Sequence, residues 1–359
     1  MRIGFFNGYS IWGGGEKWHF EMANYCKSLG DEVVMYSPVD GELAKRSLEV
    51  GLVIRDIAIS KHSYFNPMFL IKLTRLVKKD NLDVLVFNSF RDVRAAAYAI
   101  KKAGVKKVVL RCGMPIAPKQ SLSYLFNFRV GLDYFVPISE SIRDEFLEKS
   151  PKLLRVNQCV PYIANGIDLK DFTYVGETTK DGQTIVLGNA SRLSHQKGLD
   201  LLLPSLKILK DKGIPFIMKI AGEGEERDFL IKLAHELGLQ DNVEFIGHID
   251  NVSDFVKEID IYVFTSRYEG TARSMIEAMA CGKPVVAFNT SSMREVVSDD
   301  ETGLLVKPFS IEDFAAKTEV LIKDKNLRQQ FGKEGRARVE NLFNKEKNFA
   351  TWYEFLNSK

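Results

Sequence analysis

Two glutamates and two cations are the residues best suited to chemistry in this 359-residue chain. The segment Ser266-Arg267-Tyr268-Glu269-Gly270-Thr271-Ala272-Arg273-Ser274-Met275-Ile276-Glu277-Ala278-Met279-Ala280-Cys281-Gly282-Lys283-Pro284 follows an apolar, β-rich run. Small residues at Gly270, Thr271 and Ala272 let a ligand approach the backbone. The helix expected to begin there turns its unpaired N–H groups and positive dipole end toward that ligand, the arrangement that seats a phosphate. Glu269 lies in the loop and Glu277 in the second helical turn, and carboxylates are good acceptors for sugar hydroxyls. A second segment, Gly188-Asn189-Ala190-Ser191-Arg192-Leu193-Ser194-His195-Gln196-Lys197-Gly198-Leu199-Asp200, supplies Arg192 and Lys197 after another such run. Fixed cations favour a leaving diphosphate, whose charge grows in the transition state.

Two acids eight residues apart prove little alone, because most such pairs are solvated. Their flanks say more. The pattern E-G-x-x-x-x-x-x-E-A-x-A-x-G-x-P-V-V resembles the E-x7-E signature of the retaining family-four glycosyltransferases of the GT-B fold. The resemblance implies that Glu277 holds the ribose hydroxyls and that Glu269 contacts the donor sugar. The second segment is similar to that family's G-R-L-x-x-x-K-G loop, with Ser191 where a glycine is usual, and implies that Arg192 and Lys197 meet the diphosphate. Three smaller echoes are Ala221-Gly222-Glu223-Gly224, the Gly247-His248 loop, and Asn165-Gly166-Ile167-Asp168, resembling the family's glycine turn, base-side loop and interdomain turn. His248 either touches the nucleotide or is a solvated loop histidine.

In the first half, Trp12-Gly13-Gly14-Gly15-Glu16-Lys17 resembles the family's glycine-rich loop, and Gly14 and Gly15 permit close backbone approach to donor phosphate or acceptor. A plain strand-to-helix turn is the alternative. No G-K-[ST] follows, and Trp18 stands where a dinucleotide fingerprint needs its last glycine. Many relatives carry a histidine at the place of Cys112, in Arg111-Cys112-Gly113-Met114-Pro115. Arg111 is then either a cation near the transferred sugar or an ion-paired surface arginine.

The elements that must position these residues alternate. Apolar runs recur at Ile3–Phe6, Glu32–Tyr36, Asp83–Phe87, Lys107–Leu110, Asp133–Ile138 and Cys159–Ile163, with helical stretches between. They recur again at Thr184–Leu187, Phe216–Ile220, Val243–Ile246, Ile261–Thr265, Pro284–Ala287 and Leu304–Val306. Continuous runs such as Val84-Leu85-Val86-Phe87 suit a parallel sheet covered on both faces. The polar stretch Lys170 to Gln183 separates the series. The fold class is therefore α/β, with two Rossmann-like doubly wound parallel-sheet domains facing a cleft, which is also the GT-B architecture that the resemblance implies. The expected domains are 1–170 on the acceptor side and 171–359 on the nucleotide-sugar side, the last helix, about 345–359, crossing back onto the first. Ile311 to Leu356 reads as helical, with Trp352, Tyr353 and Phe355 packing as core.

Composition bounds the rest. With 45% hydrophobic and 27% charged residues the chain is ordinary and globular. The run Ile3 to Phe6 meets Asn7-Gly8 too early for a signal peptide, and no stretch reaches the roughly 18 apolar residues of a membrane span. Cys26, Cys112, Cys159 and Cys281 are scattered without C-x-x-C spacing and read as core residues in a reducing cytoplasm. Residues 1 to 170 hold 25 Lys and Arg against 17 Asp and Glu, a net +8, whereas the remainder is −5. A basic first half suits an anionic partner or is merely a solvated surface. Aromatics in Tyr64 to Phe69 and Ser123 to Arg129, near Lys101, Lys102, Lys106 and Lys107, either pack as core or rest on an anionic membrane, at its inner face.

No D-x-D pair occurs, so no metal is implied, and no cofactor either, since the nucleotide sugar is a substrate. The resemblance implies a retaining, metal-independent transferase. It would move sugar from a UDP- or GDP-sugar to a glycan or lipid-linked acceptor in polysaccharide or glycolipid synthesis. The rival readings are a non-catalytic sugar-nucleotide-binding subunit and another enzyme of this fold, such as an epimerase or phosphorylase. Nucleic acid is excluded as a partner by the dilution of basic residues and the absence of a reader motif.

Overall fold

A computed structural model describes residues 1–60, 62–114, 118, 120–176 and 183–358, so Pro115 and part of the polar stretch, 177–182, lie outside the described residues. The chain divides into two compact units, Met1–Ile163 with Phe349–Lys359, and Ala164–Asn348.

The first unit is built on β1 (Arg2–Phe6), β2 (Glu32–Ser37), β3 (Val53–Asp56), β4 (Val84–Phe87), β5 (Lys107–Cys112) and β6 (Tyr134–Pro137). They form one parallel sheet in the order β3-β2-β1-β4-β5-β6. Successive residues of a strand serve opposite faces: Phe6, Tyr36, Leu85 and Phe87 enter one apolar cluster, and Phe5, Met35, Val84 and Val86 the other. This two-sided burial explains the continuous apolar runs. Cys159–Ile163, expected as a strand, is a correction: it makes only one bridge, Cys159 to Phe135, and scattered bonds such as Ile163 N–H to the Pro137 carbonyl. The ladder stops there because β6 ends at Pro137, which has no N–H to donate back. The sixth strand is instead β3, at the sheet edge.

The second unit repeats the plan with β7 (Ile185–Ala190), β8 (Phe216–Ala221), β9 (Val243–Gly247), β10 (Ile261–Phe264), β11 (Val285–Phe288) and β12 (Gly303–Val306). Their order, β12-β11-β10-β7-β8-β9, matches the first sheet once renumbered. In both sheets the first and fourth strands are neighbours, so the connections leaving their carboxyl ends diverge to opposite sides and open a ligand-sized crevice.

The carboxyl-terminal helix Lys345–Asn357 supplies Phe349, Trp352 and Leu356 to a core of the first unit. Trp352 is fully buried, its ring centroid 4.9 Å from that of Trp18, while Tyr353 and Phe355 are partly buried against the same cluster. Among the described residues no helix is long and apolar enough to cross a membrane.

Candidate active site

The crevice of the second sheet lies where β7 and β10 end, and the two loops leaving them are bound to each other. Thr265 Oγ1 donates to the Lys197 carbonyl at 3.1 Å, and Gln196 Nε2 donates to the Tyr268 carbonyl at 2.9 Å. Arg267 donates to both carboxylate oxygens of Asp200, at 2.8 and 2.7 Å, and to the His195 carbonyl at 2.6 Å. Gly198 sits at φ +64°, and a Cβ there would lie 2.2 Å from the Thr265 carbonyl oxygen, so only glycine lets the loops close. This stitching brings Lys197 Nζ to 2.5 Å from Glu269 Oε1. Both side chains are largely buried, 19% and 10% exposed, so the charges act with little screening.

Glu277 lies on the helix Arg273–Ala280, is 6% exposed, and accepts from Arg273 Nε at 2.8 Å. Beside it the Tyr262 hydroxyl exchanges hydrogen bonds with the Ala190 amide and carbonyl, each at 3.1 Å. Burial, with the Glu277 and Glu269 carboxylates, pushes that phenol well up. The loop ahead of the helix is held from below by Ser292 Oγ, which donates to the Gly270 carbonyl at 3.0 Å. Ala272 precedes the helix in the left-handed region, φ +43°, and no side chain caps the first turn. Such a backbone costs a non-glycine residue about 1 to 2 kcal/mol.

The neighbouring strand ends continue the surface. Gly222 (φ +127°) donates its N–H to the Gly247 carbonyl at 2.7 Å, and a Cβ on it would lie 1.9 Å from the Ser191 carbonyl oxygen. Gly224 packs as closely on the Leu193 carbonyl. Ser191, which replaces a usual glycine, is not among the positive-φ residues and donates from Oγ to Asn189 Oδ1 at 2.7 Å, so the loop does not need glycine there. Arg192 is exposed and pairs with Glu225 at 3.1 Å. The structure thus pairs Lys197 with Glu269 and leaves Arg192 exposed with another partner. His248 is exposed and stands 3.5 Å from Asp250.

In the first unit Gly14 and Gly15 open the helix Gly14–Ser28, whose N-cap, Gly13, offers no side-chain bond. Space at Gly14 is open, but a Cβ at Gly15 would lie 2.1 Å from Asn88 Nδ2. Asn88 Oδ1 in turn accepts from Arg111 Nη1 at 2.7 Å. Arg111 is 2% exposed, stacks 4.5 Å from the Trp18 ring centre, and is lowered to about 10 by burial. It is therefore not the surface arginine of the alternative reading. Cys112 is buried, and burial pushes its thiol up to about 12, a poor nucleophile at neutral pH.

Sequence reasoning missed Asp92 and His19. Asp92 is fully buried in the first turn of the helix Phe90–Lys102, with Oδ1 accepting from the Gly8 N–H at 3.3 Å and Oδ2 without a partner. Burial raises it to about 7. The signal was available: Ser89 three residues ahead of an acid is a helix-start pattern. His19, fully buried between Phe5 and Trp18, is held below its usual range by burial and by Arg111, and nothing in the sequence marks it. Among the described residues one group, His195, Asp200 and Glu226, has ligand atoms within 4.8 Å of one another, but Asp200 is already gripped by Arg267.

Residues 12–171 match the model of Glycosyltransferase Family 4, and residues 172–338 that of Glycosyl transferases group 1. A poly(ribitol-phosphate) alpha-N-acetylglucosaminyltransferase of Staphylococcus aureus is 30% identical over 200 residues, covering 55% of this chain and 40% of that protein. The chain thus spans about two fifths of that relative. An uncharacterized glycosyltransferase of Haemophilus influenzae is 28% identical over 375 residues, covering 99% of both chains. Among solved structures, Anabaena HepE in complex with UDP and glucose superposes with a TM-score of 0.80 over 100% of both chains, at 19% identity.

Proposed function

Because the chain belongs to the group 1, family-4-like glycosyltransferases of GT-B fold, we propose that it transfers a sugar with retention from a UDP- or GDP-sugar to a glycan or lipid-linked acceptor, without a metal, in cell-surface polysaccharide or glycolipid synthesis. The observation that carries this reading is the Lys197–Glu269 pair at the crevice of the second sheet, with Glu277 buried on the helix that follows. A diphosphate arriving at the uncapped helix end competes with Glu269 for Lys197. Its binding leaves the Glu269 carboxylate free to accept sugar hydroxyls.

In the transfer, the bond from the anomeric carbon to the diphosphate breaks, and one to the acceptor oxygen forms on the same face. The acceptor proton passes to the departing phosphate oxygen. Lys197, the helix end and, from the rim, Arg192 stabilise the developing charge. Gly270, Thr271, Ala272, Gly222 and Gly247 allow close backbone approach, Glu277 holds the ribose, and His248 lies at the base side. Gly14, Gly15 and Arg111 are the candidates in the first unit. UDP in the Anabaena structure supports a uridine donor.

The test is a thermal-shift screen of nucleotide sugars, since a ligand of the native state raises apparent stability. One UDP- or GDP-sugar is expected to stabilise the protein, and Lys197→Ala and Glu277→Ala each to abolish that shift. A full shift in both variants places the donor elsewhere. Product anomeric configuration by NMR decides retention, and unchanged turnover in EDTA decides metal independence.

A further inference from the structure

A second concave site lies within the first unit. A groove of about 570 Å³ is walled by Tyr64, Phe65, Tyr98, Leu122 and Phe126, with Arg94 among them. Its walls come from the connections that leave the carboxyl ends of β3, β4 and β5, the side of a doubly wound sheet where ligands gather. The volume is in the range of small-molecule sites. Part of its apolar rim faces water: Phe65 is 71% and Leu122 85% exposed.

Arg94 gives the groove its chemistry. Its guanidinium lies 3.6 Å from the Tyr64 ring centre and 5.0 Å from that of Tyr124, and Nε donates to Ser123 Oγ at 2.8 Å. Two rings and a hydroxyl fix its plane. Among the described residues no carboxylate pairs with it, so a held cation is left with its remaining N–H donors unclaimed by acid. Planar guanidinium groups bind phosphate through paired, charge-assisted hydrogen bonds.

We propose that this groove binds an apolar chain ending in a phosphate, the chain along Phe65, Leu122 and Phe126 and the phosphate on Arg94. Naming the occupant as the acceptor, a lipid phosphate, rests on the glycosyl-transfer reading. The binding itself does not.

The probe is octyl phosphate, added to the full chain carrying Leu122→Trp as a reporter at the rim. The expected result is a saturable blue shift of the new tryptophan. Octyl glucoside should bind at least tenfold more weakly, and inorganic phosphate alone should give no shift. Arg94→Gln in the reporter background should weaken octyl phosphate about tenfold, and Arg94→Lys, which keeps charge but loses the planar fork, should fall between. The ligand comparison in the Arg94 protein stands even if the Gln variant misfolds. Equal affinity for octyl phosphate and octyl glucoside, no loss in a folded Arg94→Gln variant, or a shift seen only with phosphatidylglycerol vesicles would overturn the proposal, the last assigning the patch to a membrane surface. A nucleotide-sugar thermal shift on the same protein separates the failures. Donor binding without octyl phosphate binding sinks this inference alone. Octyl phosphate binding without any donor shift sinks the transfer reading and leaves the groove.

Discussion

Asp92 and Arg111 sit near the carboxyl ends of β4 and β5 with almost no exposed surface, and each is governed by what burial does to charge. Asp92 rises to about 7 because desolvation outweighs the Gly8 amide, the Ser89 hydroxyl and Arg91, while Glu16 adds to the rise. Its unfolded value is near 3.8, so between about 4 and 7 the folded state binds more protons than the unfolded one. Stability from this group therefore falls as pH rises through that window and is level above it. Asp92→Asn keeps an acceptor for the Gly8 N–H and removes the titration. Its stability advantage should grow from pH 5 to pH 7 and reach a few kcal/mol, at about 1.4 kcal/mol per pKa unit. Urea unfolding at pH 5, 6, 7 and 8 measures it, and a constant gap would falsify the argument. Arg111→Lys tests the neighbouring cation. An ammonium cannot both stack on Trp18 and reach Asn88 in the plane of a guanidinium, so transfer should fall about tenfold or more, near 1.4 kcal/mol of transition-state binding. Unchanged turnover would remove Arg111 from the machinery.

The loops are organised by glycines whose missing Cβ is the fit, and this is the scale at which the sequence was most readable. Gly222→Ala would force a methyl onto the Ser191 carbonyl oxygen and hold alanine at φ +127°. It should cost about 1 to 3 kcal/mol in stability and weaken donor binding by dislodging the Arg192 loop. A lowered melting temperature with an undiminished donor shift would mean that the loop carries no donor contact. Eleven of twelve strands announced themselves, because a strand buried on both faces must be apolar throughout. β3 did not. At the sheet edge Val53 is 46% exposed and Arg55 turns to Asp80 at 2.5 Å, so half of the strand reads as polar. Cys159–Ile163 misled for the converse reason: apolar side chains bury beside β6 while Pro137, which has no N–H, ends the ladder after one bridge. Arg192 could be placed in its loop by motif, but its pairing with Glu225 depends on the turn after β8, 33 residues away. Ser89 marked Asp92 as a helix-start acid but not as a buried one, and His19 was silent, because burial of a polar side chain is a property of packing, which a local pattern does not carry.

At the scale of the whole molecule, chain order and unit order disagree. The chain leaves the first unit after Ile163 and returns at Phe349, so the first unit's core is completed by its last residues. Trp352 fills that core against Trp18, and Lys107, whose ammonium is lowered by desolvation, donates to the carbonyls of Phe355 and Ser358. The second unit has its own two apolar clusters, one on each face of its sheet. Domains with separate cores commonly unfold as separate units. Trp352→Ala removes a fully buried indole, a loss of about 3 to 5 kcal/mol, and should act on the first unit alone. Calorimetry should then show one transition lowered by the variant and a second that is unmoved by it but raised by the donor sugar nucleotide, whose proposed contacts lie mainly in the second unit. A single transition falling as one, with the donor shift diminished in proportion, would show that the two cores melt together and that the terminal helix couples them.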